Sequence, residues 1–240
     1  MTLKSIPVRS VSTLECGSCG AGAPVDEHFC PSCSRILSLD RHGDYFRFLG
    51  LPRRLRIDQR DLDRRFRQLS RQFHPDFFHN APTSERLASL ERSSYLNDAY
   101  RVLRDEHKRI EYLLALEGLP TVTTESAGGA KVPAALLEDV FALNEELDAV
   151  RDARQSGAPA ERLLADLERA ASPIQRMRVE HEEALGALID EWDALVLADA
   201  PAEPRRKVLN ALREQMVERH YIANLAGTVE EERALIGGRS

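Results

Sequence analysis

The sequence predicts an all-α protein: a helical hairpin followed by a three-helix bundle, preceded by a small zinc-knuckle module. Three observations predict it. Apolar residues recur at helical spacing from Asp44 to Gly118 and again beyond Pro133. Val and Ile are sparse, whereas the helix formers Leu, Ala, Arg and Glu are abundant. All four cysteines fall between Cys16 and Cys33, in a Gly/Pro/Ser-rich stretch that cannot build a core by itself and needs a staple.

Bulk composition bounds the rest. With 240 residues, 42% apolar, 30% charged and 6% aromatic, the chain reads as soluble and globular, with two domains as the natural division. A net charge of -6 and a pI near 5.7 argue against a chain built to neutralise phosphates, so no nucleic-acid partner is expected. No apolar run approaches the roughly 20 residues a membrane span requires, and Met1 to Glu15 lacks the apolar core of a secretory signal. The expectation is an intracellular protein without a membrane partner. Lys4 and Arg9, with no acid before Glu15, give a faint presequence character. Bacterial cytoplasm is the favoured compartment and mitochondrial matrix the alternative. The expected divisions are 1–38 for a tail and cysteine module, 39–120 for the first helical domain, 121–132 for a linker and 133–236 for the second.

Cys16-x2-Cys19-x10-Cys30-x2-Cys33 is two CxxC knuckles, each able to offer two thiolates at the spacing tetrahedral zinc requires. Gly17, Gly20 and Pro31 suit the tight turns around a metal. Four ligands close the site, so one structural zinc ion is expected. Two disulfides or a redox pair is the competing reading. The intracellular setting disfavours the first, and neither CxxC lies in a βαβ pattern as the second would need.

Next, Asp44 can cap a short helix carrying Tyr45, Phe46, Phe48 and Leu49, closed by Gly50 and Pro52. A second helix starts near Asp58 and lines up Leu62, Phe66, Leu69 and Phe73 as one apolar stripe. Arg60, Arg64, Arg67 and Arg71 follow the same spacing on another face. His74-Pro75-Asp76 ends that helix, because proline lacks the amide donor and pushes its predecessor out of the helical region. Thr83 or Ser84 can cap a third helix, in which Leu96, Ala99, Tyr100 and Leu103 share a face. It can lie antiparallel to the second, leaving the His-Pro-Asp loop at the tip of a hairpin. Ile110, Leu113, Leu114 and Leu116 form a further apolar pattern before Gly118 and Pro120.

Beyond Pro133, Leu136, Val140, Leu143, Leu147 and Val150 step by four and three, which is a bundle seam. A second segment, about 160–197, continues such a seam through Leu163, Leu167, Ala170, Ile174, Met177, Ala184 and Leu188. Pro173 should kink or restart it, with Ser172 as cap. Met177, His181 and Trp192 read as packing residues. Pro201 and Pro204 mark the next turn, and a third helix carries Val208, Leu212, Ile222 and Val229. Leu137 and Phe141 lie one step off the first seam and form a second apolar stripe that either meets a partner or merely widens the core face.

An arginine-faced helix, a His-Pro-Asp turn and a second amphipathic helix, with Asp44-Tyr45-Phe46 upstream and Asn97-Asp98-Ala99-Tyr100 downstream, resemble a J-domain. More narrowly, DYFRFLGLP, RRFRQLSRQFHPDFF, LNDAYRVLRD and KRIEYLLALEG are similar to the HscB family, the co-chaperones of iron-sulfur cluster assembly. LLEDVFALNEELD and HYIANL resemble that family's C-terminal three-helix domain, and some members carry an N-terminal tetracysteine module. The resemblance implies that His74, Pro75 and Asp76 contact a DnaK/HscA-type ATPase chaperone and promote its ATP hydrolysis, no catalytic group coming from this chain. Beside such a loop, Arg60, Arg64, Arg67 and Arg71 would steer towards an acidic partner. It also implies contact with an IscU-like iron-sulfur scaffold protein at Leu137, Phe141, Glu145 and Tyr221. Phe77 stands where the family usually carries lysine.

Other functions are weighed against this one. A general J-protein would hand misfolded chains to the chaperone through a broad apolar site. A nucleic-acid-binding zinc module is disfavoured by Asp26 and Glu27, the only charged residues between the cysteine pairs. An enzyme is disfavoured because no phosphate loop, nucleophile set or paired carboxylates are evident. Self-association is left open.

Overall fold

The computed structural model describes residues 13–25, 27–37, 39, 43–120 and 134–238, with the side chains of 134–139 outside that description. Lys4, Arg9, Asp26 and the expected linker at 121–132 lie outside the described residues. Among the described residues the only sheet has two strands, and everything else of length is helical. The chain divides into two compact units, Met1–Tyr112 and Leu113–Ser240.

The first unit begins with β1 (Thr13–Glu15) and β2 (Gly22–Pro24), antiparallel, with Leu14 opposite Ala23. A single bridge joins Phe29 to Ile36. Between these lie the two cysteine knuckles, whose small core is Cys16, Ala23, Cys30 and Leu37. So little apolar surface cannot offset the entropy of ordering the segment without a cross-link.

Helix α1 (Tyr45–Phe48) is capped by Asp44, whose carboxylate accepts from the amide of Arg47 at 2.9 Å. The buried Asp44 is neutralised by Arg53 at 2.8 Å. Helix α2 (Gln59–Phe73) is capped by Asp58 through the amide of Arg60. It buries Leu62, Leu69 and Phe73, while Phe66 is half-buried and stacks on Tyr100 at 4.2 Å. A 3-10 turn (Pro75–Phe78) follows, then α3 (Thr83–Arg104) and α4 (Glu106–Leu116). The amide of Tyr45 donates to the Tyr112 hydroxyl at 2.9 Å, and their rings stack at 4.4 Å, which ties α4 to the start of α1.

Helix α3 differs from expectation at its start. Neither Thr83 nor Ser84 caps it, because both lie inside the helix and Pro82 occupies the flanking position. The Thr83 hydroxyl accepts from Arg86 at 3.2 Å instead. Leu96, Ala99 and Leu103 are buried as the periodicity requires, with Tyr100 at the margin.

The second unit contains α5 (Ala134–Gln155), α6 (Ala160–Leu197) and α7 (Ala202–Gly237), packed as a three-helix bundle. Its core joins Leu143, Leu147 and Val150 of α5, Leu163, Leu167, Ala170 and Ile174 of α6, and Ile222, Val229 and Ile236 of α7. Buried Glu232 of α7 meets Arg151 of α5 at 2.5 Å and Arg154 at 3.6 Å. Pro204 falls in the first turn of α7, where no intrahelical amide bond is lost.

Two expectations for α6 are corrected. The helix runs through Pro173 without restarting, and exposed Ser172 caps nothing. One forfeited amide bond is outweighed by the packing of Ala170 and Ile174 on either side. The seam also shifts register: His181, Leu185 and Ile189 are buried, whereas Ala184 is exposed and Leu188 only half-buried. Consecutive steps of four follow Met177, and a step of three from Ile189 to Trp192 then brings the seam back. Among the described residues no helix is long and apolar enough to cross a membrane.

Candidate functional site

The four cysteines converge. Cys16 Sγ lies 3.7 Å from Cys33 Sγ and Cys19 Sγ 3.8 Å from Cys30 Sγ, so each close pair takes one sulfur from each CxxC. All four sulfurs lie within 4.8 Å of one another. Thiolates on a tetrahedral zinc, with bonds of about 2.3 Å, stand about 3.8 Å apart. A disulfide holds its sulfurs at about 2.05 Å. The donor set therefore fits a tetrahedral metal ion, which would supply the positive charge that lets four thiolates share one volume.

The knuckles are one turn built twice. The amide of Gly20 donates to the Cys16 carbonyl and that of Ser34 to the Cys30 carbonyl, each at 2.8 Å. The amides of Cys16 and Cys30 close the loops onto the carbonyls of Ala21 and Arg35, again at 2.8 Å. Both turns require a left-handed residue, Gly20 with φ of 72° and Ser34 with φ of 57°. Amides of Ser18 and Cys19 aimed at the Cys16 sulfur lower its pKa to about 6. The amide of Arg35 acts in the same sense on Cys33, but burial and the three neighbouring thiols outweigh it and push that pKa up to about 12. One ligand is ready as thiolate and another needs a cation to lose its proton.

At the far end of α2 the helix stops at Phe73. His74 takes extended geometry, with φ of -59° and ψ of 125°, as a residue before proline should. Its Nδ1 accepts from the Asp76 amide at 3.3 Å and lies 3.4 Å from the Asp76 carboxylate. The Phe77 amide donates to the His74 carbonyl at 3.0 Å, and His79 Nδ1 meets the Asp76 carbonyl at 2.7 Å. The loop is thus internally braced while its functional groups face water: the His74 side chain is 51% exposed, that of Asp76 86%, and Phe77 is 72% exposed.

Sequence reasoning missed what holds this loop. The Phe73 carbonyl accepts from both Ser89 Oγ, at 2.7 Å, and Ser93 Oγ, at 2.9 Å, on α3. The Phe73 ring is buried against His28 at 5.0 Å and Phe29 at 5.8 Å, both from the cysteine module. Beside it, fully buried Arg92 of α3 donates to the Leu37 carbonyl at 2.6 and 3.0 Å and meets His28 Nδ1 at 2.8 Å. Its guanidinium lies 5.4 Å from the Phe73 ring centre. Farther along, Arg35 pairs with Glu85 at 3.2 Å. A signal did exist: Ser89, Arg92, Leu96, Ala99 and Leu103 step by three and four, so polar residues occupy the core seam nearest the loop.

Arg60, Arg64, Arg67 and Arg71 are all exposed on α2, and the last three border one shallow groove with Gln68 and Gln72. Arg64 is paired with Asp61. The Arg65 hydrogen bond, at 2.9 Å, holds the Asp61 carboxyl below the usual carboxylate range. In the second unit Phe141 is 66% exposed while Leu143 and Leu147 are buried, so Phe141 does not widen the core. Glu145 is exposed one turn farther along α5. Tyr221 on α7 is half-buried beside core residue Ile222, and Leu137 lies in α5 with its side chain outside the description.

A family model described as the DnaJ domain matches residues 44–112. The crystal structure of the human co-chaperone protein HscB is similar at 24% identity and a TM-score of 0.62, covering 92% of this chain and 98% of the human one. Chaperone HscB from Vibrio cholerae is similar at 27% identity and a TM-score of 0.53, covering 80% of this chain and 99% of that one.

Proposed function

We propose that this chain is a J-domain co-chaperone of the HscB family and works in iron-sulfur cluster assembly by stimulating the ATPase of a DnaK/HscA-type chaperone and delivering an IscU-like scaffold protein to it. The observation that carries the reading is the His74-Pro75-Asp76 loop, exposed at the tip of the α2–α3 hairpin yet braced by its own hydrogen bonds. A loop already held in one shape loses little entropy on docking. Asp76 is positioned to pair with a partner arginine, His74 to exchange one hydrogen bond, and Pro75 to keep the turn fixed. Arg60, Arg64, Arg67 and Arg71 supply the positive face that steers this end towards an acidic surface. The reaction accelerated is the partner's, so the chain acts as a regulator and not as an enzyme.

The scaffold client is assigned to Leu137, Phe141, Glu145 and Tyr221. Phe141 supports this reading: a phenylalanine left 66% exposed on a helix whose Leu143 and Leu147 are buried is a narrow anchor, suited to one specific partner. One structural zinc on Cys16, Cys19, Cys30 and Cys33 completes the reading, supported by sulfur spacing of 3.7 and 3.8 Å. The working compartment is the bacterial cytoplasm, with the mitochondrial matrix as alternative, both suited to thiols that bind metal instead of pairing as disulfides.

The deciding experiment is the steady-state ATPase of the cognate chaperone, with and without scaffold, comparing the native protein with His74→Gln. Stimulation is expected from the first and not from the second, and equal stimulation by both would refute the mechanism. Phe141→Ala should weaken scaffold binding roughly tenfold, as loss of an aromatic anchor does, while leaving scaffold-free stimulation intact. If unfolded polypeptides compete equally well for that surface, the general co-chaperone reading replaces this one.

A further inference from the structure

We infer that Arg92 makes the metal-bound cysteine module a brace for the chaperone-docking loop, so that loading of the four thiols sets the rigidity of His74-Pro75-Asp76. The inference rests on the metal reading of the cysteines. It extends it by giving the module a mechanical role in the neighbouring site.

The junction is Phe73, the last residue of α2 and the one from which the loop departs. Its carbonyl is held from α3 by Ser89 and Ser93, and its ring is enclosed on the module side by His28 and Phe29. Arg92 joins the two halves. Its guanidinium is withdrawn from water, and the Leu37 carbonyl and His28 Nδ1 that it meets both belong to the module. His28 is anchored in turn, its Nε2 lying 3.2 Å from the Phe48 carbonyl.

A guanidinium withdrawn from water is held in place by such acceptors, and losing them is costly. The module is ordered by its metal ligands, because its own core is four small residues deep. Losing the metal therefore releases Leu37 and His28, strips Arg92 of these partners and uncovers the Phe73 ring. Arg92 must then move towards water, carrying with it the α3 turn that bears Ser89 and Ser93. Arg92, Ser89 and Ser93 are thus positioning residues for the loop, acting through Phe73.

Hydrogen exchange on the full-length protein tests this, comparing the zinc-loaded form with protein stripped by a chelator under reducing conditions, zinc content being measured first. Stripping should accelerate exchange of the amides at 71–79 by roughly tenfold, the loss of one charge-assisted hydrogen bond, while amides in α5 to α7 stay unchanged. Arg92→Met, which keeps the apolar stem but not the donors, should give the fast rate at 71–79 even when zinc is bound, and removing zinc should add nothing further. Phe29→Ala, altered only on the module side, should show an intermediate rate. Loop amides that keep their rate while those at 16–37 accelerate would overturn the brace. An additive effect of Arg92→Met and zinc removal would overturn the route through Arg92. Protein purified without zinc would instead overturn the metal reading, and the prior metal assay separates that outcome from the other two.

Discussion

At residue scale the two cysteine knuckles make a controlled comparison, because the same turn is built once on Gly20 and once on Ser34. Both have positive φ, 72° and 57°, and only glycine adopts that region without strain. Placing Ser34 there costs about 1 kcal/mol, a cost borne by metal binding, since the module folds only around its ligands. Ser34→Gly should therefore raise zinc affinity roughly fivefold, and Gly20→Ala should lower it by a similar factor, both measured by competition with a chromophoric chelator. The same titration should strengthen as pH rises. Cys16, with a pKa lowered to about 6, is largely ionised at neutral pH, whereas Cys33, pushed up to about 12, must release its proton on binding. Affinity that did not change between pH 6 and 8 would contradict this ligand set. The ligands themselves are legible in the sequence because CxxC spacing is a local property. The exceptional backbone at Ser34 is not legible, since nothing about a serine announces a left-handed turn.

At the scale of elements, the amphipathic stripes are legible wherever apolar residues mark them, and become obscure where polar residues take core positions. The α3 seam from Leu96 to Leu103 is plain from periodicity. It continues through Arg92 and Ser89, polar residues that an apolar count passes over and that the module and the end of α2 bury. Register in α6 is misread beyond Met177 for a related reason: His181 occupies a core position that an apolar count skips, displacing the seam by one. The arginine face of α2 carries its own prediction. Arg64 is already paired with Asp61 on the same helix, whereas Arg67 has no such ion pair among the described residues. Arg67→Ala should thus reduce chaperone stimulation more than Arg64→Ala. Both deficits should be largest at low ionic strength and shrink towards physiological salt, because exposed charges separated by about 8 Å or more are then screened. Stimulation curves against salt that superimpose for native and variant proteins would sink the steering role.

At the scale of the whole molecule the chain divides into two compact units, so a probe in one need not report on the other. Trp192, the only tryptophan, is buried in α6 and reports the bundle. Eleven positions earlier on that helix, His181 is buried facing α7, and burial lowers its pKa although Glu218 and Gln215 of α7 favour its charged form, Arg219 opposing them. The folded bundle therefore holds His181 neutral, while the unfolded chain protonates it near the ordinary value of about 6.5. Above that pH both states bind the same number of protons here, so stability is unaffected. As pH falls through it the unfolded state takes up the extra proton, and bundle stability declines until the folded state also titrates. Urea unfolding followed by Trp192 fluorescence should show a midpoint that falls between pH 7 and pH 5, with a smaller fall in His181→Leu, which cannot charge. Identical pH dependence in the two proteins would mean that His181 does not set the acid sensitivity of the bundle.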